Sequence, residues 1–278
     1  MKAAYPISMA VLRFVALGAL GIALLLPANP FPKGGAHVLE YPTPDVREEQ
    51  TIIVDGVEEQ WQLKWLGLPK PVCEPSDVSL TCPCQGFAYG EGGNLALIRL
   101  RNGSEIDRLL LTPFFADAPD AKAVLQRWEP DHDKDFDAAQ KDGFAAVVAK
   151  RPTVQLMHFS DYDHDGEASE FYLQTEAAPC GKSVGVAVGI SRTNPRLHAF
   201  TTVSNPSKPL FLQKHEWEAL RDTSGEVEVL DWQCGDHGSE SQTTVRLGWS
   251  NDGIHGTRRE FSCTSDGKVA DLIHEQPL

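Results

Sequence analysis

The sequence predicts a mainly β, hairpin-rich fold, arranged as a degenerate β-propeller-like structure or a β-sandwich, with a short helical insert near residues 118–150. Short apolar runs rich in β-branched and aromatic residues recur along the chain, separated by turns that contain glycine. The insert contains runs of alanine, lysine and glutamine. No repeat of fixed period is found, which argues against a regular propeller.

Two hairpins are predicted from their turn dipeptides. Asp-Gly and Asn-Gly adopt the left-handed backbone that a two-residue hairpin turn requires, and here each dipeptide lies between two apolar runs. The predicted hairpins are residues 51–54 and 57–65 around Asp55-Gly56, and residues 95–101 and 106–111 around Asn102-Gly103.

The insert predicts two short helices, at residues 120–128 and 136–150, with a proline between them and another after the second. Between these helices, residues 131–137 carry alternating aspartates but no glycine, and Lys134 lies in the middle. We interpret this segment as a solvated, helix-capping acidic turn, with a second cation site as the alternative.

Strands are predicted again after residue 182, with a short helix at residues 215–220. The predicted strands are 183–190, 199–203, 210–213, 227–234, 243–249 and 258–263. We therefore expect one mainly β domain over residues 51–278, preceded by an extended polar lead-in at residues 37–50.

Residues 1–36 have the order of a secretory signal peptide, with positive residues, an apolar run of 13 residues at 14–26 and then prolines. The apolar run is too short to span a membrane comfortably. Cleavage after Ala28 or Ala36 suits the small-residue requirement, and Ala36 is favoured. The sequence thus predicts a secreted or periplasmic protein without membrane insertion after cleavage, with an uncleaved N-terminal anchor as the alternative.

The chain is acidic, with a net charge of −14 that becomes −17 once the three basic residues of the signal are removed. No basic block compensates for this charge, so nucleic acid and anionic membranes are poor partners. An unknown protein or glycan partner is expected instead. Tryptophans could line a glycan-binding face, although their alternating strand positions favour packing; they are Trp61, Trp65, Trp217, Trp232 and Trp249.

All six cysteines follow the signal, which is typical of disulfides formed in an oxidising compartment. Cys234 and Cys263 are predicted to pair because both lie in predicted strand regions, and this bridge would contribute about 3.6 kcal/mol on the chain-entropy model. Two of the other cysteines are separated by one proline, so each is expected to bond elsewhere. The four whose pairing stays open are Cys73, Cys82, Cys84 and Cys180.

The most specific chemical signal is an acidic loop at residues 161–170. Asp161, Asp163 and Asp165 occupy its first, third and fifth positions, and Gly166 allows a sharp turn at the sixth. Converging carboxylates followed by glycine are typical of a calcium loop, whereas magnesium prefers a tighter octahedral shell. The alternative interpretation is a solvated polar turn.

The surroundings of the loop favour strands over helices. In helix-loop-helix sites the seventh residue, here Glu167, contributes its carbonyl, and a glutamate at the twelfth position closes the shell. The twelfth residue is Tyr172, which lacks a carboxylate. Residues 154–159 and 171–173 are apolar and rich in β-formers, so the loop is expected to join two strands.

A strand, an Asp-x-Asp-x-Asp-Gly loop and a second strand together resemble one FG-GAP or VCBS-type repeat, the calcium-binding hairpin of integrin-α-like β-propellers. The resemblance covers about 22 residues, 153–174, and implies a calcium ligand set within the loop. Such repeats carry an acidic residue at the eighth or ninth position, whereas here Ser169 is ninth and Glu170 tenth. Either residue could complete the shell.

No catalytic motif is recognised, so the sequence predicts neither catalytic nor organic-cofactor residues. His158 and His164 flank the loop and are expected to be surface histidines. We therefore favour an exported, disulfide-bonded, calcium-binding β-protein that acts as a binding or structural module. The alternative is an exported hydrolase that uses the loops around His237 and His158.

Overall fold

The computed structural model describes residues 46–78, 84–115, 122–178 and 182–278. The predicted signal peptide and the first part of the lead-in, residues 37–45, lie outside these ranges, as do Cys82 and Cys180. The described chain is mainly β and forms four antiparallel sheets with few short helices, which confirms the predicted fold class. A propeller-like or sandwich arrangement stays a prediction.

Fifteen strands and three α-helices are described. In chain order they are β1 (Val46–Val54), β2 (Val57–Trp65), β3 (Lys70–Val72), β4 (Gly90–Gly93), β5 (Leu95–Arg101), β6 (Ser104–Leu110), β7 (Ala123–Gln126), α1 (His132–Ala138), α2 (Phe144–Val148), β8 (Glu170–Ala178), β9 (Lys182–Ser191), β10 (Asn194–Ala199), β11 (Leu212–Gln213), α3 (Lys214–Asp222), β12 (Val227–Trp232), β13 (Ser241–Ser250), β14 (Gly253–Cys263) and β15 (Val269–Pro277).

The sheets follow hairpin connections. The hairpin sheet has the order β1-β2-β5-β6, and the C-terminal sheet has the order β12-β13-β14-β15. The site sheet is built on β9, which pairs with β8, β10 and β11. A small sheet has the order β3-β4-β7.

The two predicted hairpins are present with the expected turns. Asp55 and Gly56 have φ values of 50° and 74°, and Asn102 and Gly103 have φ values of 51° and 75°. Both dipeptides thus adopt the left-handed conformation of a two-residue turn. β1 begins at Val46, so the end of the predicted lead-in is strand rather than extended coil.

The helical insert differs from its prediction. Residues 123–126 form strand β7 because buried Ala123 and Leu125 alternate with half-buried neighbours and the strand pairs with β4. The predicted helix at 136–150 is split at Gly143, whose φ is 79°. Its first part begins at residue 132, inside the acidic turn.

The acidic turn at residues 131–137 is not solvated throughout. Asp135 is buried and pairs with Arg151 at 2.6 Å. Asp131 is the N-cap residue of α1, but its side chain makes no capping hydrogen bond. The turn is therefore anchored by an ion pair, a contact that local sequence does not reveal.

Three strand predictions need correction. Residues 154–159 form no strand, and only isolated bridges at Thr153 and Ser160 remain beside them. The strand predicted at 199–203 ends at Ala199, because β10 lies earlier. β15 was not predicted, since all nine of its residues are exposed and no burial pattern marks them.

The site sheet is buried on both faces. Phe171 and Leu173 of β8 join a core with Trp61 and other residues of the hairpin sheet. On the opposite face, Ala187 of β9 joins a second core with Trp217 of α3 and residues of the C-terminal sheet. A strand that is covered on both sides has a continuous apolar sequence, as β9 has.

Two disulfides are present. Cys234 pairs with Cys263, as predicted, with a Cα–Cα distance of 5.7 Å. Cys73 pairs with Cys84, which decides one of the pairings that the sequence left open. Within the described ranges, no helix is long and apolar enough to cross a membrane.

Candidate metal centre

The acidic loop is closed at its base by the backbone. The amide of Ser160 donates to the carbonyl of Glu170 at 2.8 Å, and the amide of Glu170 donates back at 3.2 Å. Glu170 is also the first residue of β8 and pairs with Gly189 of β9. The last carboxylate of the loop is thus fixed to the rigid site sheet.

An aromatic side chain pins the first half of the loop. Tyr162 is buried in the second core, where its ring meets Trp217 edge-on with centroids 5.7 Å apart. Its two neighbours are Asp161 and Asp163. No role was predicted for this tyrosine, although an aromatic residue between two aspartates is a signal that the loop packs inward.

Three carboxylates converge between these anchors. One oxygen each from Asp161, Asp163 and Glu170 lies within 4.8 Å of the other two, and together they form an acidic triad that could hold a metal ion. Asp163 is 1 % exposed and Glu170 is fully buried. A solvated polar turn does not describe this arrangement.

Electrostatics at the triad are unfavourable for three bare carboxylates. Burial raises the pKa of Asp163 to about 7, and the charges of Asp165 and Asp161 add to the rise. Burial also raises the pKa of Glu170 to about 9, against hydrogen bonds from Ser169 and the Tyr162 amide. Within the described ranges, no lysine or arginine forms an ion pair with the triad, so nothing there neutralises its charge.

Asp165, which the sequence predicts as a ligand, is not one of the three grouped carboxylates, although its charge acts on Asp163. Its Oδ1 accepts a hydrogen bond from the Glu167 amide at 2.9 Å, and its Oδ2 accepts one from the Arg192 amide at 2.7 Å. The Asp165 carboxylate therefore ties the loop to the turn after β9. Glu167 is half-buried and its carboxylate is not part of the triad.

Of the two candidates for completing the shell, the structure places Glu170 in the triad and gives Ser169 a supporting position. The Ser169 hydroxyl lies 2.7 Å from Glu170 Oε1 and 3.2 Å from the carbonyl of Ile190. The Tyr162 amide donates to Glu170 Oε2 at 2.8 Å. Both oxygens of Glu170 are thus oriented by neighbours.

The turn of the loop is made by residues with positive φ. Gly166 has φ 95°, a conformation that favours glycine. His164 has φ 55°, and its Nε2 lies 2.8 Å from the Leu220 carbonyl in α3. His164 is therefore a packing contact and not the solvent-facing residue that was predicted, whereas His158 is exposed as expected.

The triad predicts that, in chelator, the stability of the protein falls as the pH rises. Both folded-state pKa values lie above the ordinary carboxyl value of about 4, so the folded state keeps protons that the unfolded state releases. The free energy of unfolding should fall by roughly 2 kcal/mol or more between pH 5 and pH 9, since one pKa unit in one group corresponds to about 1.4 kcal/mol. Urea unfolding at several pH values measures this.

The same titration in excess calcium provides the comparison. Bound calcium would keep the carboxylates ionised, so the fall should disappear. The Asp163→Asn, Glu170→Gln double variant should also lack it in chelator. Stability in chelator that stays level or rises with pH would contradict the electrostatic description.

The hydrolase alternative gains no support from the geometry. His237 lies on the surface, and its Nε2 is 3.7 Å from Asp236 Oδ1. The Ser239 hydroxyl donates to the carbonyl of Ser241 at 2.6 Å, so its proton is directed at the backbone.

A second Ser-His-Asp group occurs at the turn between β13 and β14. Ser250 Oγ lies 2.7 Å from His255 Nε2, and Asp252 Oδ1 lies 3.0 Å from the same nitrogen. A proton relay needs the serine and the carboxylate on opposite ring nitrogens. This surface cluster lacks that geometry.

No protein-family model matches the chain, and no significant match is found among curated proteins or solved structures.

Proposed function

We propose that the loop at residues 161–170 binds calcium and that the protein is an exported β-protein acting as a binding or structural module. The observation that supports this most strongly is the convergence of Asp163 and Glu170, two buried carboxylates, with Asp161. Buried carboxylates are costly unless they are protonated, paired or bound to a metal. A divalent cation bound between them would contact all three carboxylates at once.

The ligand chemistry favours calcium. Calcium takes six to eight oxygen ligands at flexible geometry, and the loop offers three convergent carboxylates. Magnesium needs a stricter octahedron, and zinc, copper and nickel prefer nitrogen or sulfur ligands, which the triad lacks. The resemblance to an FG-GAP or VCBS-type repeat points to the same ion.

We also propose that the protein is exported and that its role is not catalytic. The two disulfides are compatible with an extracellular or periplasmic location, and the N-terminal signal pattern predicts it. The triad is tied to the middle of the fold through Glu170 and Tyr162. We therefore assign the ion the role of stabilising the loop by balancing the charge of its buried carboxylates, with a protein or glycan as the partner of the module.

A thermal melt in calcium and in chelator tests the ion. At the affinities of about 0.1 to 1 mM typical of extracellular modules, 1 mM calcium adds about 0.4 to 1.4 kcal/mol. For a domain of this size the midpoint should rise by roughly 1 to 5 °C. The Asp163→Asn and Glu170→Gln variants should lose this rise, because each removes a charged ligand without changing its shape.

The control is Asp266→Asn, which removes an exposed carboxylate in the turn before β15. This variant should keep the full calcium response. Equal responses in all four proteins would mean that calcium acts on the general acidic surface, and the proposal would fall. A larger rise of the melting midpoint with magnesium than with calcium would mean that magnesium is the ion of this site.

A further inference from the structure

A cleft of about 230 Å³ opens beside the triad. Its walls come from the end of β9, from β10 and the segment after it, and from the turn between β13 and β14. Asp163 is part of its lining. The cleft is smaller than the roughly 300–1,000 Å³ of pockets that enclose drug-sized ligands, so it suits a single small ring.

Aromatic side chains form one part of the lining. Trp249 is half-buried, and Phe200 is 4 % exposed. The ring of His198 lies against Phe200, with centroids 4.7 Å apart. Aromatic faces bind ligands that present an apolar surface, and tryptophan is suited to sites that are apolar on one side and wet on the other.

Neutral polar residues form a second part of the lining. Among them are Ser191, Thr193, Asn194 and Thr201, whose side chains carry three hydroxyls and one amide. His198 Nδ1 lies 2.8 Å from the carbonyl of Arg196. Since a carbonyl only accepts, Nδ1 carries the proton, and Nε2 of the neutral ring is an acceptor.

The charges in the lining indicate which ligands fit. Asp163 and Asp252 are the charged groups there, and no lysine or arginine lines the cleft among the described residues. Phosphates, sulfates and acidic peptides are therefore disfavoured. A sugar ring has an apolar C–H face and a rim of hydroxyls, and it matches aromatic faces bordered by hydroxyl and amide groups.

Asp163 connects the cleft to the cation. The triad supplies three side-chain ligands, whereas calcium takes six to eight oxygens, so other oxygens must complete the shell. Asp163 belongs both to the triad and to the cleft lining. Asp163 is thus the residue beside which a sugar hydroxyl in the cleft would meet an ion held by the triad.

We propose that this cleft is a calcium-dependent binding site for one neutral sugar ring, with Trp249 as the aromatic surface and Asp163 as the link to the ion. The proposal rests on the calcium site proposed above. The ligand of the module would then be a glycan, bound through a terminal or exposed sugar ring.

The test uses the full mature protein with glucose, galactose, mannose and N-acetylglucosamine as probes, in calcium and in chelator. Saturation-transfer NMR detects binding, and tryptophan fluorescence gives the affinity. We expect at least one sugar to bind with a Kd on the order of 1 mM, weakened about tenfold or more in chelator. Trp249→Ala and Asn194→Ala should each weaken binding about fivefold or more.

Matched variants keep the result interpretable. Asn194 is exposed, so Asn194→Ala tests the cleft even if Trp249→Ala reduces folding. Trp232→Ala removes a half-buried tryptophan that does not line the cleft and should leave sugar affinity unchanged. All variants should retain the calcium-induced rise in melting midpoint.

Each contrary result overturns a different statement. If calcium raises the melting midpoint but no sugar binds, the sugar site is wrong and the calcium site stands. Equal sugar binding in calcium and chelator would overturn the link through Asp163. Binding of tetramethylammonium in place of sugars would make the cleft a site for organic cations. Absence of any calcium response would overturn the proposed function itself.

Discussion

Gly189→Ala is expected to destabilise the protein by about 3 kcal/mol or more and to abolish the calcium response. A Cβ at Gly189 would lie 2.3 Å from the Ser169 carbonyl oxygen and 2.7 Å from the Glu170 Cα. These are backbone atoms of the paired strand, which cannot move without separating β8 from β9. Glu170 would be displaced from the triad, so chemical denaturation and the calcium melt should both report the change.

Gly225→Ala is the matched control. An added Cβ at Gly225 meets no atom within 4 Å, and the residue is exposed. Its effect should stay within about 0.5 kcal/mol with a normal calcium response. A Gly189→Ala protein that keeps both its stability and its calcium response would show that Glu170 is not held through the β8–β9 pairing.

Glu59→Gln is expected to cost roughly 3 to 5 kcal/mol, because it leaves the buried Arg99 charge with only the more distant carboxylate of Asp107, at 3.8 Å. Glu59 is 1 % exposed, and its carboxylate accepts hydrogen bonds from Arg99 at 2.8 and 3.0 Å, from Arg101 at 2.6 Å and from Trp61 at 3.1 Å. Burial acts to raise the pKa of Glu59, but the hydrogen bonds from Arg99 and Arg101 outweigh it and the pKa lies below its ordinary value. Urea denaturation at pH 7 measures the loss.

The control lies in the same sheet. Glu105 pairs with Arg108 at 2.7 Å, but both side chains are about 40 % exposed. Exposed pairs contribute little, so Glu105→Gln should change the free energy of unfolding by less than about 0.5 kcal/mol. Similar losses for the two variants would mean that burial does not strengthen the Glu59 network.

The hairpins could be predicted because their information is local. Asp55-Gly56 and Asn102-Gly103 specify a turn without help from the rest of the chain. Strand β7 was mistaken for helix because its alanine-containing sequence becomes a strand only through pairing with β4, far along the chain. β15 was missed for a similar reason, since its exposed residues carry no alternation and its strand geometry comes from β14.

The site was predicted in outline and corrected in detail. The spacing of Asp161 and Asp163 indicates convergence, and the structure brings both together with Glu170. Asp165 is outside this group, and its carboxylate accepts a hydrogen bond from the backbone amide of Arg192, which is distant in sequence. Spacing alone cannot reveal such a competing partner, nor could it choose between Ser169 and Glu170, which differ in their contacts with Ile190 and Tyr162.

The backbone bridge between Ser160 and Glu170 has a consequence for selectivity. The two ends of the loop are joined by peptide hydrogen bonds and not by the ion, and Tyr162 anchors the interior. Binding of a cation to a loop of this kind costs little conformational entropy, because the loop is already ordered. We expect preorganisation of this sort to make the spacing of the carboxylates, more than their number, the property by which the loop would distinguish ions of different radius.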